Sequence, residues 1–258
     1  MIKLIVSDVD GTILTKEQNE VSGEMLCAID ALKKAGKKVA IASGRTYGSL
    51  ENLFSAVKED LYFICCDGAV IIHNDKVIYC KQIGVGDVID VIRRPEYENC
   101  GILLCTPKIP YVIQGSEDFA ITAETQSGEE TFYIERLYDI KDPIVKIAIW
   151  DKNGNAEPLG FLPKSLRVAY NVGEWCEYTS AISNKGLAVS DLQMRLYLTK
   201  FDTCAIGDGV NDIEMMKKAK VAVSANGAGQ ELRSVPLIKK VTKKQNWFTF
   251  LKMKLIKK

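Results

Sequence analysis

Short apolar runs, each followed by an amphipathic stretch, constrain this chain most, because that alternation builds parallel sheets with helical crossovers. Leu4-Ile5-Val6 precedes a stretch with apolar residues at Val21, Met25, Ala28, Ile29 and Leu32. Lys38 to Ala42 is a second run, and Tyr47 to Val57 reads as its helix. The pattern resumes after residue 184. A helix from Asn184 to about Tyr197 precedes the run Thr203 to Ile206, then a helix from Asn211 to Ala219, then Val221 to Ser224. The expected fold class is α/β, a Rossmann-like parallel-sheet core with helices on both faces.

Between these blocks the texture changes. Six of the seven prolines fall at Pro95, Pro107, Pro110, Pro143, Pro158 and Pro163, among strand-like runs at Gly101–Thr106, Tyr111–Gln114, Ile144–Trp150 and Arg167–Asn171. A turn-rich insert of this kind reads as a second, α+β domain laid over the first. The expected division is 1–83 with 184–258 for the core and 84–183 for the insert.

Composition excludes several classes. With 34 Lys+Arg against 33 Asp+Glu, the net charge of +1 gives no basic field for nucleic acid and no acidic excess for disorder. A chain of 258 residues, 47% hydrophobic, buries enough apolar surface to need no staple. Its eight cysteines contain no C-x-x-C, and most sit in apolar runs such as Ile64-Cys65-Cys66. They read as reduced thiols of a cytoplasmic protein. Met1-Ile2-Lys3 leads into a run that ends at Asp8, with no secretory leader expected, and no stretch reaches the ~20 apolar residues of a membrane span. The single histidine, His73, supplies neither a metal cluster nor a supported triad. After Glu231 come Arg233 and eight lysines but no acid, with Trp247, Phe248, Phe250, Leu251 and Leu255 near helical spacing. That segment reads as a last helix packed on the sheet, with a membrane surface as the weaker alternative.

Three apolar runs end alike, in small, acidic or hydroxyl residues next to glycine: Ser7-Asp8-Val9-Asp10-Gly11-Thr12, Ser43-Gly44-Arg45, and Gly207-Asp208-Gly209-Val210-Asn211-Asp212. In open α/β sheets ligands bind at the carboxyl ends of strands, so these endings are expected to meet. Four carboxylates, Asp8, Asp10, Asp208 and Asp212, would then share a site without histidine or thiol. Such a site calls for a cation, and all-oxygen ligation suits Mg²⁺. Magnesium beside oxygen ligands points in turn to phosphate chemistry.

Asp8 and Asp10 straddle one residue. One carboxylate of this pair could attack phosphorus, while the other protonates the leaving oxygen and then activates water. Gly11 would let the backbone turn so that its amides face phosphate oxygens, and Thr12 could add a hydroxyl donor.

D-V-D-G-T at 8–12, S-G-R at 43–45, N-K-G at 184–186 and G-D-G-V-N-D at 207–212 resemble, in order and spacing, the four motifs of the haloacid dehalogenase superfamily. The match is best with its Cof-type phosphatase branch, whose large α+β cap lies between the second and third motifs. The resemblance spans essentially the whole chain. It implies that Asp8 is the nucleophile and Asp10 the general acid/base. It implies a metal held by the Asp8 carboxylate, the Asp10 backbone carbonyl and Asp208. Phosphate would be bound by Ser43, Gly44, Lys185 and Asn211 together with Gly11 and Thr12. Asp212 would orient the metal's waters or Lys185, and Arg45 would support the site from behind. Ser183-Asn184 reads as a helix cap, which would set Lys185 beside free backbone N–H groups.

The implied function is a Mg²⁺-dependent phosphatase of small phosphorylated metabolites, sugar phosphates first, acting as a monomer or weak dimer. A phosphotransferase or mutase, and a non-catalytic regulator that binds a phosphometabolite, are the alternatives. Two positions depart from the family pattern: Asp67-Gly68-Ala69 stands where N-G-A is usual, and Lys244-Gln245-Asn246-Trp247 replaces an acidic-glycine pair. In the insert, Tyr111, Trp150, Tyr170 and Trp175 are candidates either for stacking on a substrate or for the domain's own core. Joints are expected near Gly84–Gly86 and Ile182–Lys185.

Overall fold

A computed structural model describes residues 1–15, 18–154, 156–225, 232 and 238–240. The expected basic helix around Trp247 and the Lys244–Trp247 departure lie outside the described residues.

The first five strands are β1 (Leu4–Ser7), β2 (Lys38–Ala42), β3 (Leu61–Cys65), β4 (Val70–His73) and β5 (Lys76–Cys80). Six more follow in the middle of the chain: β6 (Gly101–Cys105), β7 (Pro110–Gln114), β8 (Phe132–Tyr133), β9 (Lys146–Trp150), β10 (Leu166–Val172) and β11 (Trp175–Ser180). The last are β12 (Thr203–Gly207), β13 (Val221–Ser224) and β14 (Ile238–Lys240). The helices are α1 (Gly23–Lys34), α2 (Tyr47–Leu53), α3 (Val85–Ile92), α4 (Glu117–Ser127), α5 (Lys185–Arg195) and α6 (Ile213–Lys217). Among the described residues no helix is long and apolar enough to cross a membrane.

Among the described residues one eight-stranded sheet has the order β14-β13-β12-β1-β2-β3-β4-β5, parallel as far as β3 and antiparallel through β4 and β5. Its inner strands are covered on both faces, and so they read as unbroken apolar runs. Ile5, Val39 and Ile41 pack under α1 and α2, against Met25, Ile29, Leu32 and Leu50. Leu4, Val6 and Ala40 face α5 and α6, against Ala188, Val189, Leu192 and Met215. The α/β class with helices on both faces is therefore the observed one. Helix α1 starts where the Ser22 side chain accepts from the Met25 N–H (3.3 Å) and stops before Gly36, with Lys33 and Lys34 in its last turn.

The β4–β5 hairpin is not announced by the helix–strand alternation. Asn74 and Asp75, with φ of 48° and 59°, supply its two-residue reversal. The helix expected over 211–219 is shorter, because Val210–Asp212 makes a 3₁₀ turn before α6. The helix expected over 47–57 ends at Leu53, and a 3₁₀ turn follows at Ser55–Val57.

The second sheet has the order β10-β11-β9-β6-β7-β8 and is antiparallel except for β7 with β8. Alternation sorts its side chains. Ile102, Leu104, Ile147, Ile149 and Tyr178 pack with Val88 and Val91 of α3. On the opposite face Leu103, Ala148 and Trp150 pack with Phe119 and Ala123 of α4. The part of that face not covered by α4 looks onto the carboxyl ends of β1, β2 and β12.

Candidate active site

Strand register brings the acids together. In the β1–β12 pairing Ser7 lies opposite Ile206, and the Asp8 N–H donates to the Ile206 carbonyl (2.9 Å), so Asp8 and Asp208 leave neighbouring strands at the same level. Asp212 folds back on its own loop, its Oδ2 accepting the N–H groups of Asp208 and Gly209 (both 3.0 Å). Lys185 stands in the first turn of α5, whose N-cap Asn184 accepts from the Leu187 N–H (2.8 Å). Its Nζ donates to Asp8 Oδ1 (2.6 Å) and Asp212 Oδ1 (2.8 Å), with 1% of the side chain exposed. Gly68 sets where that helix begins. Its φ is +87°, and a Cβ there would lie 2.3 Å from the Asn184 carbonyl oxygen, so only glycine admits this approach.

Asp10 has a different partner. Its carboxylate takes Arg45 Nη2 at 2.8 Å on Oδ1 and Arg45 Nε at 3.0 Å on Oδ2, a bidentate pair, with the Ser43 hydroxyl at 3.5 Å. Asp8 is buried while the Asp10 side chain is 54% exposed, and both line one cavity. Ser43 is buried, its Oγ also accepting from the Arg45 N–H (3.2 Å). Gly44 lines the cavity too.

Three residues expected to touch phosphate have partners within the protein. The Gly11 N–H donates to the Leu14 carbonyl (2.7 Å) and the Thr12 N–H to Val9 (3.1 Å), so these amides close a local turn. The Thr12 hydroxyl donates to Asp208 Oδ1 (2.9 Å), and Asn211 Nδ2 donates to Asp67 Oδ1 (3.0 Å). Asp67, the departure from the usual asparagine, is thus buried and held by the residue expected to touch phosphate. At Gly11, φ is +83° and a Cβ would fall 2.1 Å from Asp208 Oδ2. Gly11→Ala is therefore expected to destabilise by about 1–2 kcal/mol from backbone strain and to displace Asp208. Thermal melts with and without Mg²⁺ check this: with Asp208 as a ligand, its displacement would weaken the ion's stabilisation more than it lowers the ion-free Tm.

Carboxylate oxygens of Asp8, Asp208 and Asp212 lie within 4.8 Å of one another. Lys185 balances one of the three charges, which leaves two. Burial, then repulsion from Asp212 and Asp208, lifts the Asp8 pKa from 3.8 to about 7 against the pull of Lys185. Burial lifts Asp208 as well. Such acids call for a divalent cation or a proton between them, and an all-oxygen donor set fits Mg²⁺. Asp212 is occupied by Lys185 and two N–H groups, so Asp8 and Asp208 are the carboxylates open to the ion. The side-chain cluster contains Asp212, while the Asp10 carboxylate is turned to Arg45; the ligand expected of Asp10 is its backbone carbonyl, which such a cluster does not include.

The cavity, about 500 Å³, is lined on one side by the second sheet. Lys146, Glu177, Tyr170 and Trp175 line it, as do Gln126 and Glu129 from the end of α4 and the loop after it. Lys146 Nζ pairs with Glu177 Oε1 (2.9 Å) and donates to the Gly44 carbonyl (3.2 Å). Glu129 accepts from the Thr46 hydroxyl and the Gly48 N–H, and burial raises its pKa. Among the aromatic candidates, Tyr170 and Trp175 reach the cavity, Trp150 stacks on Phe119 (5.5 Å, 24°) and Tyr111 sits beside Phe132. Lys146, Glu177 and Glu129 carry no motif. The signal available in the sequence was a lysine at one end of an otherwise apolar strand.

A model of the haloacid dehalogenase-like hydrolases matches residues 5–246. The chain belongs to that family, and its enzyme class is that of the phosphoric monoester hydrolases. It is 26% identical over 238 residues to phosphoglycolate phosphatase 1 of Saccharolobus solfataricus, covering 91% of this chain and 87% of that protein. It is 22% identical over 240 residues to the Escherichia coli 5-amino-6-(5-phospho-D-ribitylamino)uracil phosphatase YbjI, covering 88% and 86%. The solved structure of BT1666 from Bacteroides thetaiotaomicron, a phosphatase of the same superfamily, superimposes with a TM-score of 0.76 at 21% identity, over 98% of this chain and 95% of that one.

Proposed function

We propose that this protein is a Mg²⁺-dependent phosphatase that hydrolyses phosphomonoesters of small metabolites, sugar phosphates first, through an aspartyl-phosphate on Asp8. One observation carries the reading: a buried Asp8 carboxylate, held on one oxygen by Lys185, lines a cavity between the two sheets together with Asp10.

In the first step an Asp8 oxygen attacks phosphorus, the ester P–O bond breaks, and Asp10 gives its proton to the leaving oxygen. Both Asp10 oxygens are held by Arg45, so this step requires that bidentate contact to loosen. In the second step Asp10, ionised and again held by Arg45, takes a proton from water. That water attacks phosphorus, and phosphate leaves as Asp8 is regenerated. Lys185 neutralises phosphoryl charge throughout. Mg²⁺ on Asp8 and Asp208 would supply Lewis-acid neutralisation of the phosphoryl oxygens. The two curated relatives named above support the class, since both are phosphatases of small phosphorylated compounds.

Phosphate release from a panel of sugar, alditol and carboxylated phosphate esters tests the reading. Release that stops on chelation of Mg²⁺ is the expected result. Stoichiometric binding without release, or transfer of the phosphoryl group to a second sugar hydroxyl in place of water, overturns it.

The raised Asp8 pKa gives a second expectation. An ion competing with a proton at about pH 7 binds about tenfold more weakly for each pH unit below that value. Mg²⁺ should therefore raise the Tm strongly at pH 8 and little at pH 5.5, as melts at fixed ion concentration would show.

A further inference from the structure

We infer that the Asp67 carboxylate sets how tightly the site holds phosphate, adding a negative charge that weakens the grip on ester and product alike. This rests on the phosphomonoesterase reading and concerns how readily that site gives up its product.

Asp67 belongs to none of the three strand endings that mark the site in the sequence, yet its loop ties them together. Cys66, Asp67 and Gly68 have φ of 49°, 53° and 87°. Such a left-handed run is costly for the two residues with a Cβ and persists only where its surroundings hold it. The Cys66 N–H donates to the Arg45 carbonyl (2.9 Å) and the Asp67 N–H to the Ser43 carbonyl (3.0 Å). Gly68, the third of the run, is the residue that admits Asn184 at the start of α5. The Asp67 side chain completes the tie, with Oδ1 accepting from Asn211 Nδ2 (3.0 Å).

Its other oxygen is differently placed. Among the described residues Asp67 Oδ2 accepts no hydrogen bond, and a Cβ on Gly44 would lie 3.0 Å from it. Asp67 thus lies against two residues expected to bind phosphate, Gly44 and Asn211, and lines the same cavity as Asp8 and Ser43. Its charge also reaches Lys185. Burial lowers the pKa of that lysine, while Asp8, then Asp212, then Asp67 raise it, and the acids prevail.

The balance of charge gives the sign of the effect. Arg45 pairs with Asp10. Lys185 and one divalent ion match the charges of Asp8, Asp208 and Asp212. Asp67 is then in excess, and with 3% of the residue exposed it is poorly screened by salt. A phosphate dianion is repelled whether it arrives on an ester or remains as product. Repulsion common to both raises KM and the product's Kd together and leaves kcat largely untouched.

The test is calorimetry of inorganic phosphate on the whole chain with Mg²⁺ at pH 8, beside KM and kcat for p-nitrophenyl phosphate. Asp67→Asn suits a left-handed φ, can still accept from Asn211 and removes only the charge. Asp67→Gly, equally suited to that backbone, is the second neutral variant should the first fail to fold. Each is expected to tighten the phosphate Kd about tenfold and to lower KM by a similar factor without raising kcat. A residue that serves the fold alone would leave Kd and KM unmoved in Asp67→Asn. A Kd within about twofold of the wild type in the folded variant, or a weaker one, overturns the inference. Tighter phosphate binding in proteins that hydrolyse no ester supports the role of Asp67 and overturns the phosphatase reading instead. Absence of phosphate binding in wild type and variants alike overturns both.

Discussion

Asp8→Asn is expected to abolish turnover, with kcat falling by at least about 10⁴-fold, while the fold persists. The amide has no charge to offer phosphorus and cannot form the acyl phosphate, so what remains is the contribution of Lys185 and of binding alone. The same substitution has an opposite effect on stability. Asp8 holds its proton to about 7 in the fold against 3.8 for an ordinary aspartate, so the stability it contributes is present below about pH 4 and is lost as pH rises through about 7. Removing the charge removes that loss. In ion-free buffer at pH 8 the variant should therefore melt at or above the wild-type temperature, and its Tm should vary less between pH 5 and 8. Mass spectrometry to exclude deamidation, phosphate release and two melting series settle the matter. Wild-type-like turnover in the Asp8→Asn protein, once shown to be free of deamidation, would sink the nucleophile assignment.

Lys185→Met is expected to damage both activity and fold. The methionine keeps most of the volume but leaves Asp8 and Asp212 facing each other with no cation between them, and Asp212 is fully buried. Breaking a buried ion pair by deleting one partner costs about 3–5 kcal/mol, a fall in Tm on the order of 10 °C for a chain of this size. Turnover should fall by about 10²–10³-fold or more from lost phosphoryl neutralisation. The double variant Lys185→Met/Asp212→Asn separates the two effects, because it removes the orphaned charge and should recover much of the Tm without recovering turnover. Recovery of both would mean that Lys185 serves the fold alone.

The floor of the site could be read from the sequence because each contributing strand ends in residues that cannot continue it. Asp8, Ser43 and Asp208 follow apolar runs, and parallel pairing of β1 with β2 and β12 carries them to one edge. Two things were not legible. Side-chain partners within the loops depend on backbone placement, so nothing in D-V-D-G-T shows that Thr12 turns to Asp208 or that Arg45 takes Asp10. The roof was hidden for a different reason. Lys146 and Glu177 lie 31 positions apart and meet only through the β9–β11 register, while each looks locally like a charge at or near the end of a strand. The β3–β5 segment has a similar difficulty: its buried run resembles a helix as much as a strand until Asn74 and Asp75 are recognised as the reversal.

The pairing of β1 with β12 also bears on how the chain is made. Strand β1 is synthesised about 200 residues ahead of its neighbour β12, which begins at Thr203. At about 5–20 residues per second that interval is about 10–40 s. Throughout it the edge of β1 that faces β12 has no partner, while β6 to β11 are all synthesised and can pair among themselves. Nascent chains stalled near residue 220, with β11 outside the ribosome and β12 still within it, should thus resist protease across 101–180 and be cut around β1, a vulnerability that ends only when the second half of the core emerges.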